Sequence, residues 1–187
     1  MTHEQIKQAT IGELKPHNAP IVLVEYDPTW PKQFDIEAQH IRTALSGRAL
    51  KIEHIGSTSV PGLIAKPIID ILLVVTNSAD EPSYVPVLEA AGYVLRIREP
   101  DWHEHRLFKG PRVNINLHVF SNGSAEIIRV LAFRDWLRTD SQDRELYAQT
   151  KRKLASQEWK YVQNYADAKT EIIEKMIARS HESSRQR

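Results

Sequence analysis

Residues 54–71 read HIGSTSVPGLIAKPIIDI and contain the features that decide the fold. The stretch opens with a loop of small residues after Gly56 and ends in an apolar run that contains Asp70. Glycine lets the backbone approach a ligand closely, and backbone N–H groups helped by hydroxyls bind phosphate oxygens. The pattern therefore predicts a phosphate-binding loop made of Gly56, Ser57, Thr58 and Ser59.

Asp70 is a carboxylate inside an apolar segment. Residues 67–75 are apolar and β-branched apart from this aspartate, which is typical of a strand buried on both faces. Burying a carboxylate costs free energy unless it meets a metal, a base or strong donors. Two interpretations stay open from the residues alone: Asp70 binds a ligand, or it accepts hydrogen bonds from the loop in a purely structural turn.

The remaining chain alternates short strand patterns with helical ones. Apolar runs predict further strands at residues 21–26, 49–55, 93–98, 105–109 and 113–120. Helices are predicted from Pro31 to about Gly47, over 80–91, after Ala125, from a capping box of Thr139 with Gln142, and over 158–177. The predicted class is α/β or α+β, with a mixed sheet flanked by helices and a helical C-terminal third.

We expect one domain over residues 21–180, preceded by a lead-in at residues 1–20 and followed by a polar, frayed tail at residues 181–187. The 187 residues are 41% hydrophobic and 26% charged, which is a globular profile. The net charge of +1 gives no electrostatic reason to expect a nucleic-acid or membrane partner. Cysteine is absent, which excludes disulfides, thiol catalysis and thiolate metal sites. Since no segment has the form of a signal peptide or membrane span, a cytoplasmic location is expected.

The Gly56-Ser57 pair, a spacer of twelve residues and Asp70 resemble the signature of the DNA polymerase beta nucleotidyltransferase superfamily. The longer stretch 54–71 resembles the GrpB family, and the likeness extends over about residues 21–177. The other matching pieces are Tyr26-Asp27 with Trp30, Arg106 with Phe108 and Lys109, Leu117-His118-Val119, residues 133–138 (FRDWLR), Tyr147 with Lys151, and Tyr165 with Lys169. The resemblance implies a nucleotidyltransferase-like fold. In some bacteria a domain of this kind is joined to dephospho-coenzyme A kinase.

One position departs from the pattern of active nucleotidyltransferases. These enzymes place a second carboxylate two residues after the first, on the same strand face, and together the acids hold two magnesium ions. Here that position is Leu72. GrpB-like sequences generally share the apolar residue, so the departure argues against unmodified two-metal nucleotidyl transfer.

His118 is the residue most suited to act beside Asp70. In the strand 113–120, the residues Asn114, Asn116, His118 and Phe120 alternate onto one face. His118 would then serve as a metal ligand or a general base, and a single divalent cation, Mg or Mn, would be held by Asp70 with ligand phosphates. The alternative is a histidine hydrogen-bonded into a half-exposed strand.

Several cations are candidates for binding phosphate. Lys66, Arg106 and Lys109 are each either a phosphate ligand or a solvated charge. Lys169 would close over a nucleotide while Tyr165 stacks on its base, although packing of the ring between helices is the simpler interpretation. In the stretch 133–138, Asp135 with Arg138 would form an ordinary surface pair, whereas Arg134 would reach across to the pocket.

Two histidine interpretations complete the prediction. His54 precedes the loop and is expected to orient it through a hydrogen bond to the backbone. His103 and His105 have the spacing of two ligands on one strand face, but the family likeness favours their neighbour Arg106 over a metal site there.

These features predict a protein that binds a nucleotide or another phosphate-bearing small molecule, with transfer of a nucleotidyl group to an unknown acceptor as its candidate reaction. One alternative is a non-catalytic module that binds a nucleotide or a coenzyme A precursor. The other is a single-metal phosphoryl-handling enzyme that uses Asp70 and His118. The sequence does not indicate the acceptor, the metal, the base preference or the oligomeric state.

Overall fold

Five strands form one mixed sheet in the computed structural model, which describes residues 1–185. The strands are β1 (Lys51–Ile55), β2 (Ile69–Val75), β3 (Val94–Glu99), β4 (His105–Lys109) and β5 (Ile115–Ser121). Their order across the sheet is β1-β2-β5-β4-β3. The central strands β2 and β5 are parallel, and the other neighbouring pairs are antiparallel.

Helices precede, interrupt and follow the sheet. They are α1 (His3–Ala9), α2 (Trp30–Leu45), α3 (Val85–Ala90), α4 (Ala125–Thr139), α5 (Ser141–Ala155), α6 (Val162–Asp167) and α7 (Thr170–Arg185). The predicted mixed sheet and helical C-terminal third are confirmed. No helix in the described part of the chain has the length and apolar character required to cross a membrane.

The register of β2 decides which side chains meet at the centre of the sheet. Asp70 lies opposite Asn116 of β5, and Leu72 lies opposite His118. On the other side, Ile55 at the end of β1 pairs with Asp70. Because side chains alternate along a strand, these residues all project from the same face.

The two faces of the sheet are covered by different helices. α2 and α3 pack on the face that carries Ile71 and Leu117 and form the largest apolar cluster. α4 covers part of the other face, where Leu72 and Phe120 pack against Leu131. The rest of that second face, toward Asp70, lies beneath the C-terminal helices.

The C-terminal helices are joined by a shared carboxylate and by a second apolar cluster. Asp143 of α5 accepts hydrogen bonds from Trp136 Nε1 (2.7 Å) and Arg179 Nε (2.8 Å), which connects α4, α5 and α7. Leu63, which follows the predicted loop, is fully buried in the same cluster as Met176 of α7. The helical third is therefore packed directly on the chain that leads from the loop into β2.

Three predicted elements differ from the structure. Residues 21–26 form no strand of the sheet, because Val24 pairs only with Ala65 in an isolated bridge. The predicted helix 80–91 is divided into a 3-10 turn at Glu81–Ser83 and α3, each with a proline near its start. The predicted helix 158–177 is interrupted between α6 and α7 at Lys169.

Two predicted boundaries are also corrected. The capping residue of α5 is Asp140, whose carboxylate accepts from Asp143 N at 2.8 Å, and not Thr139. Thr139 instead donates its hydroxyl back to the carbonyls of Asp135 and Trp136 within α4. α7 continues to Arg185, well into the predicted tail, while residues 186–187 lie outside the described part.

Candidate functional site

The turn between β1 and β2 is built around Gly56. Its φ of +68° lies in the left-handed region, which glycine adopts without a Cβ penalty. A Cβ built on Gly56 would lie 2.9 Å from Asp70 Cβ and closer still to its carboxylate. The missing side chain therefore allows the turn to lie directly against Asp70.

The hydroxyls of the turn have different surroundings. Thr58 Oγ1 donates to Ile68 O (3.2 Å) and contacts His54 Nε2 (3.0 Å). Ser59 Oγ donates to the carbonyl of Gly56 (2.6 Å). Both of these hydroxyls thus stabilise the turn itself, whereas Ser57 lines the cavity beside Asp70.

His54 orients the turn as expected, but through a different group. Its ring contacts the Thr58 hydroxyl rather than a backbone atom, and it stacks on Phe34 with the centroids 4.8 Å apart. Burial is the main cause that lowers the pKa of His54 to about 4, and the charges of Arg138 and Arg134 lower it further against the opposing effect of Asp70. The ring is therefore neutral near pH 7.

Asp70 is held by the two polar side chains of β5 that alternation predicts. Asn116 Nδ2 donates to Asp70 Oδ1 at 2.7 Å, and His118 Nε2 lies 3.5 Å from the same oxygen. Burial raises the pKa of Asp70, but His118, Asn116 and Lys66 outweigh it, so the pKa lies below its ordinary value. Asp70 is consequently ionised at neutral pH.

Hydrogen bonds extend from His118, which faces Asp70, to Glu99 on the edge strand β3. His118 Nδ1 lies 3.1 Å from His105 Nε2, and His105 Nδ1 lies 2.7 Å from Glu99 Oε2. Burial lowers the pKa of His105 to about 4 despite the opposing effect of Glu99, so this ring is neutral at pH 7. If Glu99 accepts the Nδ1 proton of His105, His118 donates from its own Nδ1. The other ring nitrogen of His118, Nε2, faces Asp70 Oδ1 at 3.5 Å.

Four lysines surround this single carboxylate. They are Lys66, Lys109, Lys151 and Lys169, and the negative charge of Asp70 acts to raise the pKa of each of them. Burial is the main cause that lowers the pKa of Lys169 to about 8 and of Lys151 to about 6, with repulsion from neighbouring lysines adding to it. Lys109 Nζ donates to Asn116 Oδ1 at 2.5 Å, and Lys151 Nζ donates to Ile64 O.

Aromatic rings separate the lysines from the apolar core. Lys169 Nζ lies 4.5 Å from the centroid of the Tyr165 ring, and Lys66 Nζ lies 5.6 Å from it. Lys151 Nζ lies 5.3 Å from the Tyr147 ring, which also borders the cavity. Within the described residues, the Tyr165 hydroxyl is buried without a hydrogen-bond partner. A buried polar atom without a partner is uncommon in folded proteins.

A cavity of about 110 Å³ lies beside Asp70, and of the four lysines Lys169 alone is among its lining residues. Its lining includes Gly56, Ser57, Asp70, Tyr147 and Lys169. The structure thus brings together the turn, the carboxylate and residues of the helical third.

Arg106 does not belong to this cluster, contrary to prediction. It lies opposite Val119 on β4, so its side chain projects from the other face of the sheet. There its Nε donates to Glu81 Oε1 at 2.6 Å. His103 does not form a strand pair with His105 either, because it lies in a turn with φ of +52°.

The donor set fits a resident divalent metal poorly. Among residues 1–185, no group of three or more His, Asp or Glu side chains is placed to hold one ion. Leu72 occupies the position of the second acid and is fully buried beneath α4. Four lysines also oppose a cation at Asp70. Any metal here would depend on ligand phosphates for most of its coordination.

Some of the contributing residues were not among the predicted site residues. Lys151 and Tyr147 border the site from α5, although their i, i+4 spacing is equally typical of ordinary helix packing. Arg134 lines the cavity from α4 while it donates to Glu53 Oε2 (2.8 Å) and the carbonyl of His54. The alternating pattern of β5 was sufficient to predict that Asn116 lies on the same strand face as His118.

A mixed sheet, a glycine turn against a strand carboxylate and a helical C-terminal third define a nucleotidyltransferase-like α/β protein. Cid1, solved in complex with its short product ApU, matches this fold with a TM-score of 0.51 and 12% identity, over 68% of this chain and 41% of that one. The chain belongs to the GrpB family, whose model, described as GrpB protein, matches residues 20–179.

Relatives support the family membership over nearly the whole chain. A UPF0157 protein of Halalkalibacterium halodurans is 64% identical over 180 residues, which are 96% of this chain and 92% of the relative. The crystal structure of conserved protein GrpB from Enterococcus faecalis matches with a TM-score of 0.72 and 33% identity, over 87% of this chain and 99% of that one. A dephospho-CoA kinase of Mycolicibacterium paratuberculosis is 32% identical over 160 residues, 72% of this chain but 39% of the kinase.

Proposed function

We propose that this protein binds a nucleotide, or a related phosphate ester such as a coenzyme A precursor, at the cavity beside Asp70. The observation that carries the proposal is the grouping of four partly or fully buried lysines near one carboxylate, so that amino groups outnumber acids at this site. Burying lysines without matching anions costs free energy. An anionic ligand with several charges would offset that cost.

The parts of the site suggest how such a ligand would lie. Phosphate groups would contact the turn at Gly56 and Ser57 together with Lys66, Lys109 and Lys169. Since the lysines supply the positive charge, we expect binding to persist without a divalent cation and Mg or Mn to have a secondary effect.

Nucleotidyl transfer is a second candidate function, and the position of His118 favours it. Its Nε2 lies 3.5 Å from Asp70 Oδ1, so an acceptor hydroxyl beside Asp70 would lie within reach of the Asp70–His118 pair. The acceptor oxygen would bond to the α-phosphorus, the bond from that phosphorus to the pyrophosphate oxygen would break, and the Asp70–His118 pair would take the hydroxyl proton. Leu72 in place of a second acid makes binding alone the better-supported function.

The proposal is tested by thermal unfolding in the presence of nucleoside triphosphates, inorganic triphosphate and dephospho-coenzyme A, each with and without Mg or Mn. A true ligand at about 100 times its Kd raises the unfolding temperature by about 5 °C or more. A double variant Lys66→Gln/Lys169→Gln should weaken the same binding at least tenfold, because charge-assisted contacts are lost. The matched control is Lys175→Gln, an exposed lysine of α7 that pairs with Glu171.

Two further measurements separate a binding role of the lysines from a structural role, and nucleotidyl transfer from binding alone. Removing buried lysines should leave the unfolding temperature of the free protein equal or higher, which distinguishes a binding role from a structural one. Release of labelled pyrophosphate that requires His118 would establish transfer. A flat response to every phosphate compound, with the control and wild type alike, would refute the binding proposal.

A further inference from the structure

A second, larger cavity shares Arg134 with the cavity beside Asp70 and has otherwise different lining residues. Its volume is about 620 Å³, which falls within the usual range for small-molecule sites. The start of α2, the edge strand β1 and helices α4 and α5 surround it. The lining residues used below are Tyr26, Phe34, His54, Arg134, Arg138 and Arg144.

One end of this second cavity, called the groove below, is lined by cationic side chains. Arg138 donates from Nε and Nη2 to the carbonyl of Ser59 at 3.0 and 2.9 Å, and its closest carboxylate contact is Asp135 at 3.5 Å. Arg144 donates only to carbonyls of α4, at 3.1 and 3.3 Å. Within residues 1–185 no carboxylate lies within ion-pair distance of Arg144.

The third arginine of the groove differs from Arg138 and Arg144 in having close carboxylate partners. Arg134 is neutralised by Glu53 at 2.8 Å and by Asp135 at 2.8 Å. Arg138 and Arg144 therefore provide the groove with guanidinium groups whose donors are not fully used by carboxylates. Guanidinium groups bind carboxylate and phosphate through paired, charge-assisted hydrogen bonds.

The other end of the groove is aromatic. Phe34 is half-buried and lies parallel to the buried His54 ring, with an interplanar angle of 8°. Tyr26 is held edge-on against Trp30 at 5.4 Å, so its ring is fixed. Flat, fixed rings of this kind bind planar ligands through offset stacking.

We infer that this groove binds a small molecule that joins a planar ring to an anionic group, independently of the cavity at Asp70. The ring lies along Tyr26 and Phe34, and the anionic group reaches Arg138 and Arg144. The near-zero net charge of the chain does not favour an extended polyanion. The concave shape and the local placement of the two arginines suit a single small anion instead.

The test uses phenyl phosphate as the probe, with the full chain, in isothermal titration. Phenyl phosphate should bind at least tenfold more tightly than phenol or inorganic phosphate, because each of these lacks one half of the recognised structure. Arg144→Gln and the double variant Arg138→Gln/Arg144→Gln should each weaken binding about tenfold or more. Arg152→Gln, an exposed arginine of α5 outside the groove, is the matched control and should leave binding unchanged.

The two cavities are distinguished by reciprocal variants. The double variant Lys66→Gln/Lys169→Gln should leave phenyl phosphate binding intact while it weakens triphosphate binding at least tenfold. If phenyl phosphate binding is lost in the lysine variant and kept in the arginine variants, the probe occupies the Asp70 cavity and the inference is overturned. Because Arg138 also bonds the turn, Phe34→Ala serves as a second variant, and equal binding by Phe34→Ala and wild type would likewise overturn it.

Discussion

Gly56 is the residue where the backbone and the carboxylate of Asp70 come closest. Gly56→Ala adds both left-handed strain and a collision with Asp70, so we expect a loss of more than about 2 kcal/mol in the free energy of unfolding. Chemical denaturation measures this loss. The substitution should also abolish ligand binding, because Asp70 has to move.

Gly62 provides the matched control for that prediction. Its φ of +77° is equally left-handed, but a Cβ there meets nothing within 4 Å. Gly62→Ala should therefore cost only the strain, about 1 kcal/mol. Equal losses in the two variants would show that contact with Asp70 contributes nothing.

His54 should make stability depend on pH. Its folded pKa of about 4 lies below the ordinary value, so its stabilising contribution is complete above about pH 6.5 and is lost as the pH falls toward 4. We expect it to account for about 2 kcal/mol of the decrease in unfolding free energy between pH 7 and 5.

Denaturation of His54→Gln at both pH values measures that contribution, since the variant lacks the titrating ring. His40 is exposed on α2, and His40→Gln should keep the wild-type dependence on pH. A His54→Gln variant with the full wild-type decrease would contradict the expectation.

At the scale of elements, α5 offers a clear comparison of two possible caps. Asp140→Ala removes the side chain that accepts from Asp143 N, so the free energy of unfolding should decrease by about 1 kcal/mol. Thr139→Ala should cost less than half as much, because the Thr139 hydroxyl bonds only within α4. Thermal unfolding of the two variants tests this, and a larger loss for Thr139→Ala would reverse the assignment.

Most elements could be predicted from local pattern. The run of Ile, Leu and Val around Asp70 and the alternation of residues 113–120 are strong signals because β2 and β5 occupy the sheet centre. The segment 21–26 has the same residue types but bonds to the loop and to Ala155, outside the sheet. β-propensity reflects packing against neighbours, which the segment itself does not reveal.

Strand alternation predicts the part of the site that lies on the sheet. Asp70, Asn116 and His118 follow from the period of two. The same rule places Lys109 with them and Arg106 on the opposite face, since adjacent residues on β4 point in opposite directions. Lys151 could not be found in this way, because its approach to the site depends on how the helical third packs on Ile64.

For the whole molecule, the lysine cluster predicts that ligand binding is coupled to proton uptake. Lys151 and Lys169 have pKa values of about 6 and 8 in the free protein, so at about pH 7.5 Lys151 is mostly neutral. A polyphosphate nearby favours the charged lysine and raises both pKa values. Binding should then take up protons, which titration calorimetry in buffers of different ionisation enthalpy detects.

Lys151→Met is the informative variant for this measurement. It should take up fewer protons than wild type while it still binds the ligand, because its side chain fills the same space without a charge. Lys153→Met, on the exposed side of the same helix, should behave as wild type. Binding without proton uptake in wild type would mean that the lysines already carry their charges.

The parallel pairing of β2 with β5 has a consequence for the order in which the protein folds. β1 with β2, and β3 with β4 and β5, are each formed by neighbours in the chain, whereas the β2–β5 pair joins residues 46 positions apart, such as Asp70 and Asn116. Contacts between distant residues carry the larger loop-closure entropy and slow folding. We therefore expect the two halves of the sheet to assemble first and the cavity beside Asp70 to form when they dock.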